Sequence, residues 1–252
     1  DVLLFPEIGM DAATKALACL RLAPIQVASW GHPETTGLST IDYFLSAENF
    51  EPKGAESNYR EKLVTLSKLG TCFESGAIGA IESNLSKFDI DASQPILLCA
   101  GSPSKYSPLN DHVLIEIAQR LGDCQFIFFN FQEELTAILR DRLFGAFSEA
   151  NLKPEKFIKF IPFLRRDEFY GLMFQADLYL DTMGFSGFNT AMQAVECNLP
   201  IVSREGLFMR GRLASAILKN LQLNELISTT EEEYINIVVN LIQNKKLLKN
   251  VK

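Results

Sequence analysis

The sequence predicts an α/β fold built on a Rossmann-like parallel sheet with helices on both faces. Three observations carry that prediction. From about residue 96 onward, short apolar runs alternate with longer amphipathic ones, the pattern of successive βαβ units. Right-handed crossovers between such strands put the connecting helices on both faces of one sheet. The composition, 47% hydrophobic and 22% charged, is that of an ordinary globular chain, and 252 residues bury a core without disulfides or metal.

The N-terminal third is the less regular part. Asp1-Val2-Leu3-Leu4-Phe5-Pro6 has a buried-strand pattern, and Met10–Leu22 reads as a helix after it. Ile25–Trp30 and Ile41–Leu45 read as strands, separated by the polar, Gly- and Pro-punctuated turn at residues 31–37. Residues 51–95 form a mixed linker, irregular over 68–79, and a boundary is expected near Ser93–Pro95. The chain opens inside a strand and lacks an initiator Met, so it is expected to be a piece of a longer protein.

Beyond that boundary the elements alternate. Strands are expected at Ile96–Ala100, Gln125–Phe129, Phe157–Ile161, Leu178–Leu180 and Ile201–Val202. Helices are expected at Leu109–Leu121, Glu133–Ala150, Asp167–Gln175, Thr190–Cys197, Arg212–Leu221 and Glu231–Lys246. Leu114, Ile117, Ala118 and Leu121 recur at helical spacing, as do Leu135, Ile138, Leu139, Leu143 and Phe147.

Charge and cysteine usage exclude several classes. The formal net charge of −7 argues against a nucleic-acid binder, which needs a basic face. The five cysteines (Cys19, Cys72, Cys99, Cys124 and Cys197) form no CxxC pair, and with two histidines no metal site is expected. Cys99 reads as a buried free thiol. The odd count without a signal peptide points to a reducing, cytoplasmic compartment. No apolar run approaches the roughly 18 residues of a membrane span.

Ligands of doubly wound sheets sit outside the carboxyl ends of the strands. Chemistry is therefore expected in the strand-to-helix loops. In the loop from Asp181 to Gln193, Gly184 and Gly187 allow close backbone approach. Asn189 or Thr190 starts a helix whose free N–H groups suit a phosphate. A plain glycine-containing turn with an N-cap fits the pattern equally well. In the loop Ser102–Pro108, Lys105 is the one cation, a point charge for a diphosphate or a solvated surface lysine. Over Phe163–Phe169, backbone groups could read a base edge and Phe169 could stack on it; alternatively Phe169 is core and Asp167 an N-cap. In the segment Trp30–Gly37, His32 could act as acid, base or sugar hydrogen-bonding group and Trp30 could pack on a sugar ring, or both are structural. Arg204, Arg210 and Arg212 suit an anionic ligand or are surface charge.

Together these segments resemble the family of nucleocytoplasmic protein O-GlcNAc transferases and bacterial adhesin N-glucosyltransferases. Leu22-Ala23-Pro24-Ile25-Gln26 with Trp30–Gly37 is similar to the family's RLAPIQ…GHPxTT or GYPGTSG stretch. Pro6–Asp11 is similar to PSIGMD of the bacterial branch. Lys105–Pro108 falls on the K-x-x-P loop. Asp181-Thr182 with Ser186–Gln193 falls on DT…NGHTTGMD, and Gly206 with Arg212–Ser215 falls on GETLASRVAAS.

The resemblance implies a GT-B architecture of two Rossmann-like lobes. Residues 1–94 would be the end of the N-terminal lobe plus a linker, and 95–252 the C-terminal nucleotide-sugar-binding lobe. It implies a UDP-sugar donor, GlcNAc or hexose, a polypeptide acceptor at Ser/Thr or Asn, inversion at the anomeric carbon, and no cofactor or metal. Lys105 matches the family's diphosphate lysine. Gly187, Asn189 and Thr190 would face the diphosphate, with Ser102 beside them. Leu164, Arg166 and Phe169 fall on the base loop, Gln193 on the ribose position, and Gly31 and His32 on the sugar side. Three positions depart from the family: Gln193 replaces an acid, Phe169 a histidine and Ser104 a tyrosine. The general base is expected upstream of this chain, and the piece is expected to be inactive alone. A non-catalytic nucleotide- or glycan-binding module, or a transferase acting on a lipid-linked or surface glycan, are the alternatives.

Overall fold

The computed structural model describes residues 1–74 and 79–252. The predicted irregular stretch at 68–79 therefore lies partly outside the described residues. Its flanks, 68–74 and 79, contain no helix or strand.

The first part contains β1 (Val2–Phe5), α1 (Ala12–Ala18), β2 (Ile25–Ser29), β3 (Tyr43–Ala47) and β4 (Lys62–Leu66). These strands form one parallel sheet in the order β1-β2-β3-β4. The second part runs β5 (Ile96–Leu98), α2 (Asp111–Leu121), β6 (Gln125–Asn130), α3 (Glu133–Glu149), α4 (Pro154–Phe157), β7 (Ile158–Pro162), α5 (Arg166–Gln175) and β8 (Leu178–Leu180). It continues with α6 (Asn189–Glu196), β9 (Ile201–Arg204), α7 (Leu213–Asn220), β10 (Ile227–Ser228), α8 (Glu231–Gln243) and α9 (Lys245–Asn250). Its six strands are all parallel, in the order β10-β9-β8-β5-β6-β7.

Read from β7, that is the 3-2-1-4-5-6 order of the Rossmann sheet. The chain reverses direction of growth between β5 and β8, so the loops leaving these two strands diverge and open a crevice there. The central strands are buried on both faces, which is why Ile96, Leu97 and Leu98 form an unbroken apolar run.

Several boundaries differ from the sequence expectation, for local reasons. Helix α1 is shorter than Met10–Leu22: Asp11 caps it through the Thr14 N–H at 2.8 Å, and it ends at Ala18. Strand β3 lies two residues later than expected. Strand β4 falls inside the presumed linker; it is a half-exposed edge strand, and its register with β3 fixes it, not its own apolarity. Strand β10, only two residues long, was also not visible. The closing helix breaks at Asn244, which caps α9 through the Leu247 N–H at 3.1 Å.

The larger core fills the second sheet and its helices. The smaller core gathers Phe5, Ile8, Phe44 and Phe50 from the first part with Met209, Leu213 and Ala216 from the second. The two sheets thus meet through α7 and the turn before it. Arg212 Nε donates to the Phe50 carbonyl at 2.9 Å across this junction.

Candidate functional site

The two loops at the reversal point are built to face each other. After β5, Gly101 N–H donates to the Tyr106 hydroxyl at 3.1 Å. Arg142 Nη2 donates to the Tyr106 carbonyl at 2.8 Å while Arg142 Nε holds Asp111 at 2.8 Å. The loop is thereby fixed with Lys105 pointing at the loop after β8. Lys105 Nζ lies 4.4 Å from the Phe185 ring centre and donates to the Ser186 carbonyl at 3.4 Å. Burial pushes the Lys105 pKa down; the charge of Asp181 offsets this only in part.

After β8 the chain turns back on Asp181, which is 3% exposed. Its carboxylate accepts from Ser186 Oγ and Ser203 Oγ, both at 2.7 Å, and from Gly187 N–H at 3.1 Å. Burial raises its pKa against these hydrogen bonds. Helix α6 begins at Asn189, and the first bond returning to the loop is Met192 N–H to the Phe188 carbonyl at 2.9 Å. The N–H groups ahead of Met192 are those that an α-helix leaves unpaired by its own geometry. Thr190 Oγ1 is 2.8 Å from the Tyr179 hydroxyl. A Cβ on Gly187 would lie 2.6 Å from that same Oγ1, so the close approach here requires glycine.

Beside these loops opens a pocket of about 430 Å³. Ser102, Leu164, Arg166, Phe169, Thr190 and Gln193 all line it, so six residues singled out from sequence come together. Phe169 packs edge-on against Phe129 at 5.4 Å, serving as both core and pocket wall. Arg166 lies over the Tyr170 ring at 5.5 Å. Asp167 does not cap α5: the helix is preceded by Arg165, whose N–H donates to Glu168 Oε2 at 3.1 Å. Glu196, one turn beyond Gln193, accepts from the Tyr170 hydroxyl at 2.5 Å.

Gly31 and His32 are not in that pocket. They approach the site from the first sheet. A Cβ on Gly31 would lie 2.5 Å from the Pro6 carbonyl oxygen, so only glycine fits. The His32 ring is 6.4 Å from Phe185, the ring that also receives Lys105. Phe185 is thus the shared neighbour of the two groups; its loop was expected from the sequence, this role for its ring was not.

Trp30 is half-buried against the smaller core. It packs edge-on against Phe50 at 5.0 Å and Phe188 at 4.9 Å. The three arginines also find partners within the chain. Arg204 pairs with Glu231 at 3.0 Å, Arg212 with Glu205 at 3.0 Å, and Arg210 with Glu34.

Glu61, missed from sequence, holds the His32 loop. It is 4% exposed. It accepts from Thr35 Oγ1 at 2.6 Å, Thr36 N–H at 2.8 Å and the Thr36 hydroxyl. Burial acts to raise its pKa, but those hydrogen bonds outweigh it and the net shift is downward. A carboxylate with a depressed folded pKa stabilises above its unfolded value and loses that contribution as pH falls through the folded one. Glu61→Ala is expected to cost about 1.5–3 kcal/mol in urea unfolding at neutral pH. The difference from the unmutated chain should shrink below about pH 4.5; a gap that persists in acid would show that ionisation is not the source.

Residues 140–252 match the model of glycosyl transferase family 41. The chain's resemblance is to the family 41 glycosyltransferases. A probable UDP-N-acetylglucosamine–peptide N-acetylglucosaminyltransferase SPINDLY of Solanum lycopersicum is 25% identical over 246 residues, covering 94% of this chain and 25% of that protein. A UDP-glucose:protein N-beta-glucosyltransferase of Actinobacillus pleuropneumoniae is 25% identical over 257 residues, covering 96% of this chain and 38% of its own length. The chain therefore spans about a quarter to two fifths of these relatives. Among solved structures, a mutant O-GlcNAc transferase of Thermobaculum terrenum superposes with a TM-score of 0.83 at 24% identity, covering 100% of this chain and 47% of that one. The fold is GT-B, as the family resemblance implied. Among the described residues no helix is long and apolar enough to cross a membrane.

Proposed function

We propose that this chain is the donor-binding part of an inverting, metal-independent glycosyltransferase that moves GlcNAc or a hexose from a UDP-sugar to a protein side chain. One observation carries the proposal. Lys105, the N-terminus of α6 and the pocket lined by Phe169, Thr190 and Gln193 adjoin one another at the reversal point of the sheet. That is where a doubly wound fold places a nucleotide. The named functions of the plant and bacterial relatives, both sugar transfer from UDP to peptide or protein, support the donor class and the acceptor class.

In this scheme the acceptor nucleophile attacks the anomeric carbon from the face opposite the nucleotide, and its proton is released to solvent or to a base that none of the residues named above supplies. The bond from that carbon to the diphosphate oxygen breaks, and UDP leaves with the electron pair. Negative charge grows on the leaving oxygen. The Lys105 ammonium and the unpaired N–H groups of α6 supply preorganised counter-charge. Gln193 offers its amide to the ribose hydroxyls, and His32 with Gly31 borders the sugar.

Lys105→Ala is expected to weaken UDP binding by about 1.5–3 kcal/mol, the scale of a charge-assisted contact, read by calorimetry. Unchanged affinity, in a chain that binds UDP, would remove the diphosphate role. The pH profile adds a second check. Burial lowers the Lys105 pKa in the free protein, and a bound diphosphate favours the charged form. UDP affinity should therefore fall as pH rises through that depressed value towards about 10.5, with proton uptake on binding. Lys105→Ala should abolish this dependence.

A further inference from the structure

The pocket holds a second aromatic layer that the donor-binding residues above do not use. Phe131 is 57% exposed and Phe163 is 69% exposed. Their ring centres are 5.7 Å apart with planes tilted by 53°. Both line the pocket next to Phe169. Strand register puts them there: β6 and β7 pair in parallel and end with Asn130 opposite Pro162, so the residue that follows each strand is one of the two rings. Two phenylalanines side by side at a pocket mouth, both more than half exposed, form apolar surface that invites a flat ligand.

The polar groups near them are few and largely committed. Thr190 Oγ1 is engaged with Tyr179, Arg166 lies over Tyr170, and Ser102 Oγ is 3.2 Å from Ser104 Oγ. The inner wall is the edge-on pair Phe129–Phe169. We infer that Phe131 and Phe163 are a nucleobase-stacking element that closes over the base of a nucleoside diphosphate. The inference rests on the donor-site reading and extends it. The phosphate end of the ligand is held by charge, and the base end by π faces from the loops after β6 and β7.

Stacking on an aromatic side chain differs from burial against any apolar group, and the test exploits that. Phe131→Ala and Phe163→Ala should each weaken UDP binding by about 5- to 100-fold, the range for removing a base-stacking ring. Affinity for inorganic pyrophosphate, which has no base, should be unchanged in both. Phe163→Tyr and Phe163→Trp should retain UDP affinity, whereas Phe163→Leu should lose it despite its apolar bulk. All five variants can be read by calorimetry on the whole chain, since these exposed rings are outside the core and the variants should fold. UDP affinity unchanged in the alanine variants, or fully kept in Phe163→Leu, would overturn the stacking role while leaving the donor site intact. Failure of the unmutated chain to bind UDP at all would remove the donor-site reading and this assignment together.

Discussion

Asp181→Ala is expected to cost about 3 kcal/mol of folding stability and to weaken UDP binding in the same variant. Three donors converge on this one buried carboxylate: two serine hydroxyls and the Gly187 N–H. Removing the acceptor leaves them without their partner, and each buried donor left unpaired costs about 1–3 kcal/mol. The effect spreads because the network continues. Ser186 Oγ, which donates to Asp181, accepts in turn from the Ala214 N–H at 2.8 Å, and the Tyr234 hydroxyl donates to the Asp181 carbonyl at 3.3 Å. Asp181 thus ties the loop after β8 to β9, α7 and α8. Asp181→Asn should recover part of the loss, because a serine hydroxyl can turn from donor to acceptor. Urea unfolding and UDP titration of the two variants decide the matter. An Asp181→Ala chain with unmutated stability would show that the loop stands without this carboxylate.

Asp181 also illustrates what was legible in the sequence. Its position at the end of an apolar strand, before a glycine-bearing turn and a helix, placed it in a strand-to-helix loop, where the structure has it. Its role was not visible there, because Ser203 and Ala214 are brought to it by the sheet and by α7. The alternation of apolar and amphipathic runs after residue 96 was sufficient for the second sheet, since central parallel strands must be apolar on both faces. It failed for β10, as the apolar pattern of the first part failed for β4: Ser228, Lys62 and Thr65 dilute the pattern and pairing with a neighbour supplies the order. Six residues named from the sequence share one pocket because the segments after β5, β7 and β8 all leave the same end of the sheet. Trp30 was open between sugar and core, and its answer depended on Phe188, a partner 158 positions away. Glu61 gave no local signal, since the threonines it holds belong to another loop. Phe131 and Phe163 lay within the loops expected after the second and third strands of this part, yet only the register of β6 with β7 makes them neighbours.

Gly101→Ala should disturb the site from its other side. The added methyl would lie 2.3 Å from Thr182 Oγ1 and 3.1 Å from the Tyr106 hydroxyl. Thr182 is buried at the start of the loop after β8, and Tyr106 anchors the loop that carries Lys105. One methyl group therefore pushes on both sides of the crevice at once. Overpacking of this kind costs about 1–3 kcal/mol. The functional effect should be larger than the stability effect, because Gly101 and Ser102 also line the pocket proposed for the nucleotide and a small displacement of a positioning loop costs up to about 100-fold. The expected result is a folded chain with a Tm a few degrees lower and at least tenfold weaker UDP binding. The cause can be isolated by making room. Thr182→Ala removes the clashing oxygen and should have a modest effect by itself. Combined with Gly101→Ala it should be better than additive, since neighbours in direct contact couple by about 0.5–3 kcal/mol. A double variant no better than the sum of the two would assign the damage to the Tyr106 side of the crevice and not to Thr182.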